Sequence, residues 1–120
     1  MTKYEEGQML LINKPLEWTS FDVVRKIRHL VRTKKVGHAG TLDPLATGLL
    51  IVCTGKQTKN INVYMLKEKE YTGAIILGAV TPTYDLESTP AQHKDISMID
   101  VKKVNETVQL FIGEKLIIIF

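Results

Sequence analysis

At 120 residues, 44% hydrophobic and 24% charged, with a formal net charge of +3, the chain has the make-up of one soluble globular domain of ordinary size. No apolar run approaches the eighteen or so residues of a membrane span, and the opening "MTKYEEGQML" has acids where a secretory leader would need cations. The single cysteine excludes an internal disulfide framework, so an intracellular, cytoplasmic protein is expected.

In chain order, "QMLLIN" (8–13) predicts a short buried strand, ended by Lys14-Pro15. "TSFDVVRKIRHLVRT" (19–33) predicts a helix, with Thr19 or Ser20 as its cap and Asp22 complementing the macrodipole. Phe21, Val24, Ile27, Leu30 and Val31 recur at helical spacing and should form its buried face. Its other side and the following turn carry Arg25, Lys26, Arg28, Arg32, Lys34 and Lys35. Six of the sixteen Lys and Arg thus fall within residues 25–35 with no acid among them, leaving ten cations against thirteen acids elsewhere. A basic strip this local points to a polyanionic partner, although a solvated helix face would have the same composition.

"TGLLIVCTG" (47–55) is a continuous apolar run rich in branched residues, a buried strand in which Cys53 reads as a structural thiol. "TKNINVYMLKEK" (58–69) suggests a shorter helix. "EYTGAIILGAV" (70–80) suggests another strand, with Gly73 and Gly78 marking a bulge or close approach. "TPTYDLESTPAQHKDIS" (81–97) is a surface loop by composition. "DVKKVNETVQLFIG" (100–113) has Val101, Val104, Val108, Leu110 and Phe111 near helical spacing and a glycine to end it. The apolar, strand-like "EKLIIIF" (114–120) would leave a sticky unpaired edge, which suggests that the other half of the domain is missing. This irregular alternation gives an α+β fold, a mixed and mainly antiparallel sheet with flanking helices.

The segment richest in chemistry is "VGHAGTLDPLATGLL" (36–50), with one acid, Asp43, followed at once by proline. Pro44 biases Asp43 towards an extended backbone, and Gly37, Gly40 and Gly48 allow tight turns and close approach of a ligand. The strand after the loop would anchor it on rigid scaffold. That combination fits a nucleophile held in one orientation. Other chemistries fit poorly: His38 and Asp43 have no companion ligands for a metal, the Gly-Lys-Ser/Thr ending of a phosphate loop is absent, and no serine sits between glycines. An Asx-turn, with Asp43 bonded to its own backbone, remains an equal reading of the residues alone.

"GHAGTLDPLATGLLIVCTGKQTK" (37–59) strongly resembles the catalytic-aspartate motif of the TruB family, the tRNA pseudouridine-55 synthases. "INKPLEWTSFDVV" (12–24) is similar to that family's first motif, and "KEYTGAIILGAVTPTYD" (69–85) to the segment bearing its active-site tyrosine. The motifs come in the family's order, and "LDPLATGLL" looks like the stand-alone bacterial branch rather than the guide-RNA-dependent one. The resemblance implies that residues 1–120 are the N-terminal portion of a pseudouridine synthase catalytic domain. It implies an isomerase that converts uridine to pseudouridine at position 55 in the T-loop, with no cofactor and no metal. Its partner would be the tRNA T-arm stem-loop, with no membrane involved.

By the same resemblance Asp43 is the nucleophile, His38 lies beside the target nucleotide, and Tyr71 stacks on the base. Lys14, Pro15, Gly40 and Thr41 would support the active-site loop. The local basic strip, read from charge rather than from the resemblance, offers Arg25, Lys26, Arg32, Lys34 and Lys35 to the RNA backbone. Glu17 stands where the family usually has a glycine. The family's aspartate-pairing arginine, a pocket leucine and the RNA-binding thumb would all lie past position 120, so these residues alone are expected to have little or no activity. A non-catalytic RNA-binding remnant of the family is the other reading.

Overall fold

The apolar runs of the first 55 residues become strands, and the capped helix between them covers one side of the sheet. The computed structural model describes residues 1–117 and divides into a unit from Met1 to Thr72 and a second that starts at Gly73. The first unit begins with a single helical turn, α1 (Lys3–Glu6). Three strands follow, β1 (Met9–Lys14), β2 (Val36–Ala39) and β3 (Gly48–Thr54), in the spatial order β1-β3-β2 with both pairings antiparallel. The fold is α+β, as expected. Among the described residues no helix is long and apolar enough to cross a membrane.

Helix α2 (Ser20–Val31) starts at Thr19 with a capping box: Asp22 N–H donates to the Thr19 hydroxyl, and Thr19 N–H donates back to the Asp22 carboxylate. The Thr19 N–H and hydroxyl, with Arg25 close by, hold the Asp22 carboxyl below its usual range. The buried face of α2 is narrower than the spacing predicted. Val23 and Val24 are buried against Val36, Leu50 and Val52, with Ile27 packed beside them, whereas Phe21 and Leu30 are exposed. Helical spacing alone predicts a wider buried stripe, but the sheet residues Val36, Leu50 and Val52 pack only with Val23, Val24 and Ile27 of this helix.

Strand β2 was not foreseen. Two of its four residues are Gly37 and His38, so neither branching nor alternation marks it. It forms because β3 offers an unpaired edge that "VGHA" joins, Val36 opposite Thr54 and Ala39 opposite Ile51. After β3 the chain turns through a 3-10 stretch, Gly55–Asn60, into α3 (Ile61–Met65), so the helix expected over 58–69 is one short turn preceded by 3-10 geometry.

Gly55 is required where it stands. Its φ is +53°, and a Cβ there would sit 2.1 Å from the Glu5 carbonyl oxygen and 2.5 Å from that of Tyr4. Gly55→Ala is therefore expected to displace α1 and to cost about 2 kcal/mol or more, read as a lower urea midpoint.

In the second unit the strand expected over 70–80 does not form; its first three residues belong to the first unit and have no strand there either. Only Val80 pairs, in an isolated antiparallel bridge with Ala91, and Ile75 is 90% exposed. The run has the composition of a strand but no neighbouring ladder to complete. Gly78 does mark a close approach, since a Cβ there would lie 3.3 Å from the Lys94 carbonyl oxygen. Residues 81–97 form the expected loop, apart from the bridge at Ala91. Helix α4 (Val101–Gln109) is capped by Asp100, whose carboxylate accepts from Lys103 N–H. Its Val101, Val104 and Val108 are exposed rather than buried. Of the strand-like ending, Leu116 and Ile117 are in no strand, and 118–120 lie outside the described residues.

Candidate active site

The loop from Gly40 to Thr47 joins β2 to β3, and its backbone is fastened on both sides of Asp43. On the N-terminal side, the buried Ser20 hydroxyl donates to the Leu42 carbonyl (3.2 Å) and accepts from Leu42 N–H (2.9 Å). The Leu42 side chain packs on the core. On the C-terminal side, the Pro44 carbonyl accepts from Glu17 N–H (2.7 Å) and from Lys14 Nζ (3.3 Å). Ala46 N–H closes a turn onto the Asp43 carbonyl (2.9 Å).

Lys14 is 0% exposed, yet all its donors are used: Nζ also donates to the carbonyls of Trp18 (2.6 Å) and Pro15 (3.0 Å). A buried amine is tolerable only when hydrogen-bonded, and here it joins the end of β1, the turn before α2 and the Asp43 loop at one point. These three bonds tie the Asp43 loop to its surroundings through Lys14. Pro15 contributes its carbonyl and ends the strand.

Between these two anchors the Asp43 side chain is exposed, and among the described residues its carboxylate has no hydrogen-bond or ion-pair partner. The Asx-turn reading therefore does not describe it: the turn is closed by the Asp43 carbonyl, not its side chain. Gly40 (φ +84°) makes the bend that leads into the loop. A cleft of about 650 Å³ lies alongside, lined by Gly40, Thr41, Leu42 and Leu45 on one side and by Lys69, Glu70 and Tyr71 on another. Tyr71 is 69% exposed and lines this cleft rather than packing in a core. Asp43 stands within this loop but is not among the residues lining the cleft.

His38 is placed differently. It lies opposite Val52 on β2, on the sheet face turned to α2, and its half-buried ring bonds through Nδ1 to the Gly40 carbonyl. A carbonyl can only accept, so Nδ1 carries the proton and Nε2 is the nitrogen left over. The structure thus joins His38 to the Asp43 loop through the backbone of Gly40 and does not bring it into the cleft with Tyr71. Cys53 is fully buried, and burial pushes its thiol up from the usual range, which suits a structural residue and not a nucleophile.

Sequence reasoning missed Ser20 and Glu17. Either member of the pair Thr19-Ser20 has the chemistry of a cap; Thr19 takes that role alone, which frees the Ser20 hydroxyl for the loop. Glu17 sits at φ +68°, a left-handed conformation that disfavours any residue with a Cβ, and its backbone N–H is what reaches Pro44. Glu17→Gly should keep that bond and relieve the strain, stabilising the unit by about 0.5–1 kcal/mol in urea denaturation. A lower midpoint would show that the Glu17 side chain holds the turn.

Comparison with known proteins gives a coherent result. Residues 28–118 match the family model described as TruB family pseudouridylate synthase, N-terminal domain. The chain is 50% identical over 119 residues to the tRNA pseudouridine synthase B of Flavobacterium johnsoniae, covering 93% of this chain and 52% of that protein. It is 48% identical over 116 residues to the protein of that name from Chlorobaculum tepidum, covering 93% and 48%. With that of Bacteroides fragilis it is 48% identical over 122 residues, covering 92% and 50%. The chain spans about half the length of the curated relatives it matches. The match takes in the Asp43 loop, β2, β3 and Tyr71 together, and on it the chain belongs to the TruB family of pseudouridylate synthases.

Proposed function

We propose that this chain carries the catalytic aspartate of a tRNA pseudouridine synthase, an isomerase that converts a T-loop uridine, at position 55, to pseudouridine. The observation that carries the proposal is the Asp43 carboxylate, exposed and unpartnered between two fastened peptide groups. The names of its relatives, tRNA pseudouridine synthase B, supply the substrate class.

The reaction rearranges one nucleoside. The bond from N1 of uracil to C1′ of ribose breaks, the base turns, C5 bonds to C1′, the C5 proton leaves, and N1 gains a proton. Nothing is oxidised or reduced, so the chemistry calls for a nucleophile, a base and a pocket. Asp43 is the nucleophile, and immobilising its backbone removes the entropy of orienting it in the transition state. Tyr71 stacks on the extruded base, a contact worth roughly 1–3 kcal/mol for any base with a π-face. His38 holds the Gly40 turn, and so acts on the Asp43 loop from the other side of the sheet. Reaching a uridine inside a folded loop requires flipping it out of its stack, and the basic strip of residues 25–35 holds the RNA backbone meanwhile.

The test is incubation with a T-arm stem-loop labelled with tritium at uridine C5, since forming the C5–C1′ bond expels that atom. Release from the position-55 uridine alone is expected once residues 1–120 are joined to the remaining half of a full-length relative such as that of Flavobacterium johnsoniae, with little or none from residues 1–120 by themselves. Binding without release by the joined protein would assign the chain to RNA binding and overturn the catalytic proposal.

A further inference from the structure

The cations of residues 25–35 are not equivalent in the folded chain. Arg25 is paired with the Asp22 carboxylate at 2.9 Å and lies by the Phe21 ring, 5.9 Å from its centroid. Arg28 donates to the Val36 carbonyl (3.1 Å) and lies 5.8 Å from the same ring. Among the described residues the side chains of Lys26, Arg32, Lys34 and Lys35 have no hydrogen-bond or ion-pair partner, and all four are exposed.

Arg32 is the most informative of these. It ends α2 in the left-handed conformation, φ +50° and ψ +42°, the position where glycine is the usual residue. Arginine in that conformation carries backbone strain that glycine would not. With Arg28, His29, Thr33 and Lys34, Arg32 lines a concavity of about 640 Å³ that contains no acid. Strand β2 leaves this concavity at Val36, whose carbonyl holds Arg28, and reaches Ala39 about 10 Å further on, where the Asp43 loop begins. One ligand strand can therefore engage both ends.

We infer that this concavity at the C-terminal end of α2 is a phosphodiester-binding subsite, in which Arg32 and Lys34 contact the RNA backbone next to the target nucleotide. The inference rests on the proposed RNA substrate and narrows the basic strip to its uncommitted cations. A plain structural role for these residues, neutralising the carbonyl end of the helix dipole, makes the opposite prediction for Arg32.

The experiment measures binding of a fluorescent T-arm stem-loop to the chain between 50 and 200 mM salt, with thermal unfolding of each variant. Arg32→Gly is expected to raise Tm, because the strain is relieved, and to lower the slope of log K against log salt by about 0.9. Lys34→Gln is expected to lower the slope by a similar amount, and Lys59→Gln, on the 3-10 stretch, to leave it unchanged. A lower Tm with an unchanged slope for Arg32→Gly would overturn the subsite and leave the pseudouridine reading standing. Slopes equal to that of the unsubstituted chain in both cleft variants would do the same. Displacement of RNA by poly-glutamate at equal charge would assign the cleft to an acidic protein instead. No binding by the unsubstituted chain would overturn both readings.

Discussion

With residues 1–120 joined to the remaining half of a full-length relative, Asp43→Asn is expected to reduce tritium release from a T-arm stem-loop to background, a loss on the order of 10⁴-fold, while the Kd for that RNA changes by less than about threefold. The substitution keeps the size and shape of the side chain and removes only the charge and the nucleophilic oxygen. Nothing in the fold depends on that carboxylate, because it has no partner among the described residues and the loop is held through Leu42 and Pro44. Thermal unfolding should therefore be unchanged. Parallel loss of binding and of Tm would make Asp43 a structural residue.

Lys14→Met is expected to have the largest effect on stability, about 3 kcal/mol, measured as a shift in urea midpoint. Methionine fills similar volume but cannot donate, so the Trp18 carbonyl loses its Lys14 bond and the Pro15 carbonyl keeps only the Trp18 N–H. Pro44 keeps one donor, the Glu17 N–H, and loses the other. A unit this small has a total stability of only several kcal/mol, so the loss is a large part of it. The same variant should loosen the Asp43 loop and lower kcat in whatever fraction stays folded. An unchanged midpoint would mean that the buried amine is dispensable, and the account of how the loop is fastened would fail with it.

How far the sequence is legible depends on what each feature draws upon. Strands β1 and β3 and helix α2 carry their own signals, in branched apolar runs and a Thr-x-x-Asp box, and they form where expected. Strand β2 carries none, since it exists through its partner. The reverse holds for residues 70–80, whose strand-like composition meets no ladder beyond the bridge at Val80. Asp43 is legible from its setting between glycines and before proline, and from the motif it resembles. Its fastening is not, because Ser20 and Lys14 lie 22 and 30 residues from the carbonyls they hold. The division of cations into committed and free likewise depends on where Asp22, Phe21 and Val36 fall in three dimensions. Composition counts charges; it does not say which are already paired.

Whether the Asp43 carboxylate meets the RNA can be measured without turnover, by carbodiimide labelling of carboxyl groups in the free chain and in its complex with a T-arm stem-loop, mapped by mass spectrometry. Asp43 is exposed, so it should label readily in the free chain. Bound RNA should protect it strongly, while Glu5 and Glu106, both exposed in the free chain and outside the proposed RNA contacts, react as before. Equal labelling of Asp43 with and without bound RNA would contradict the account.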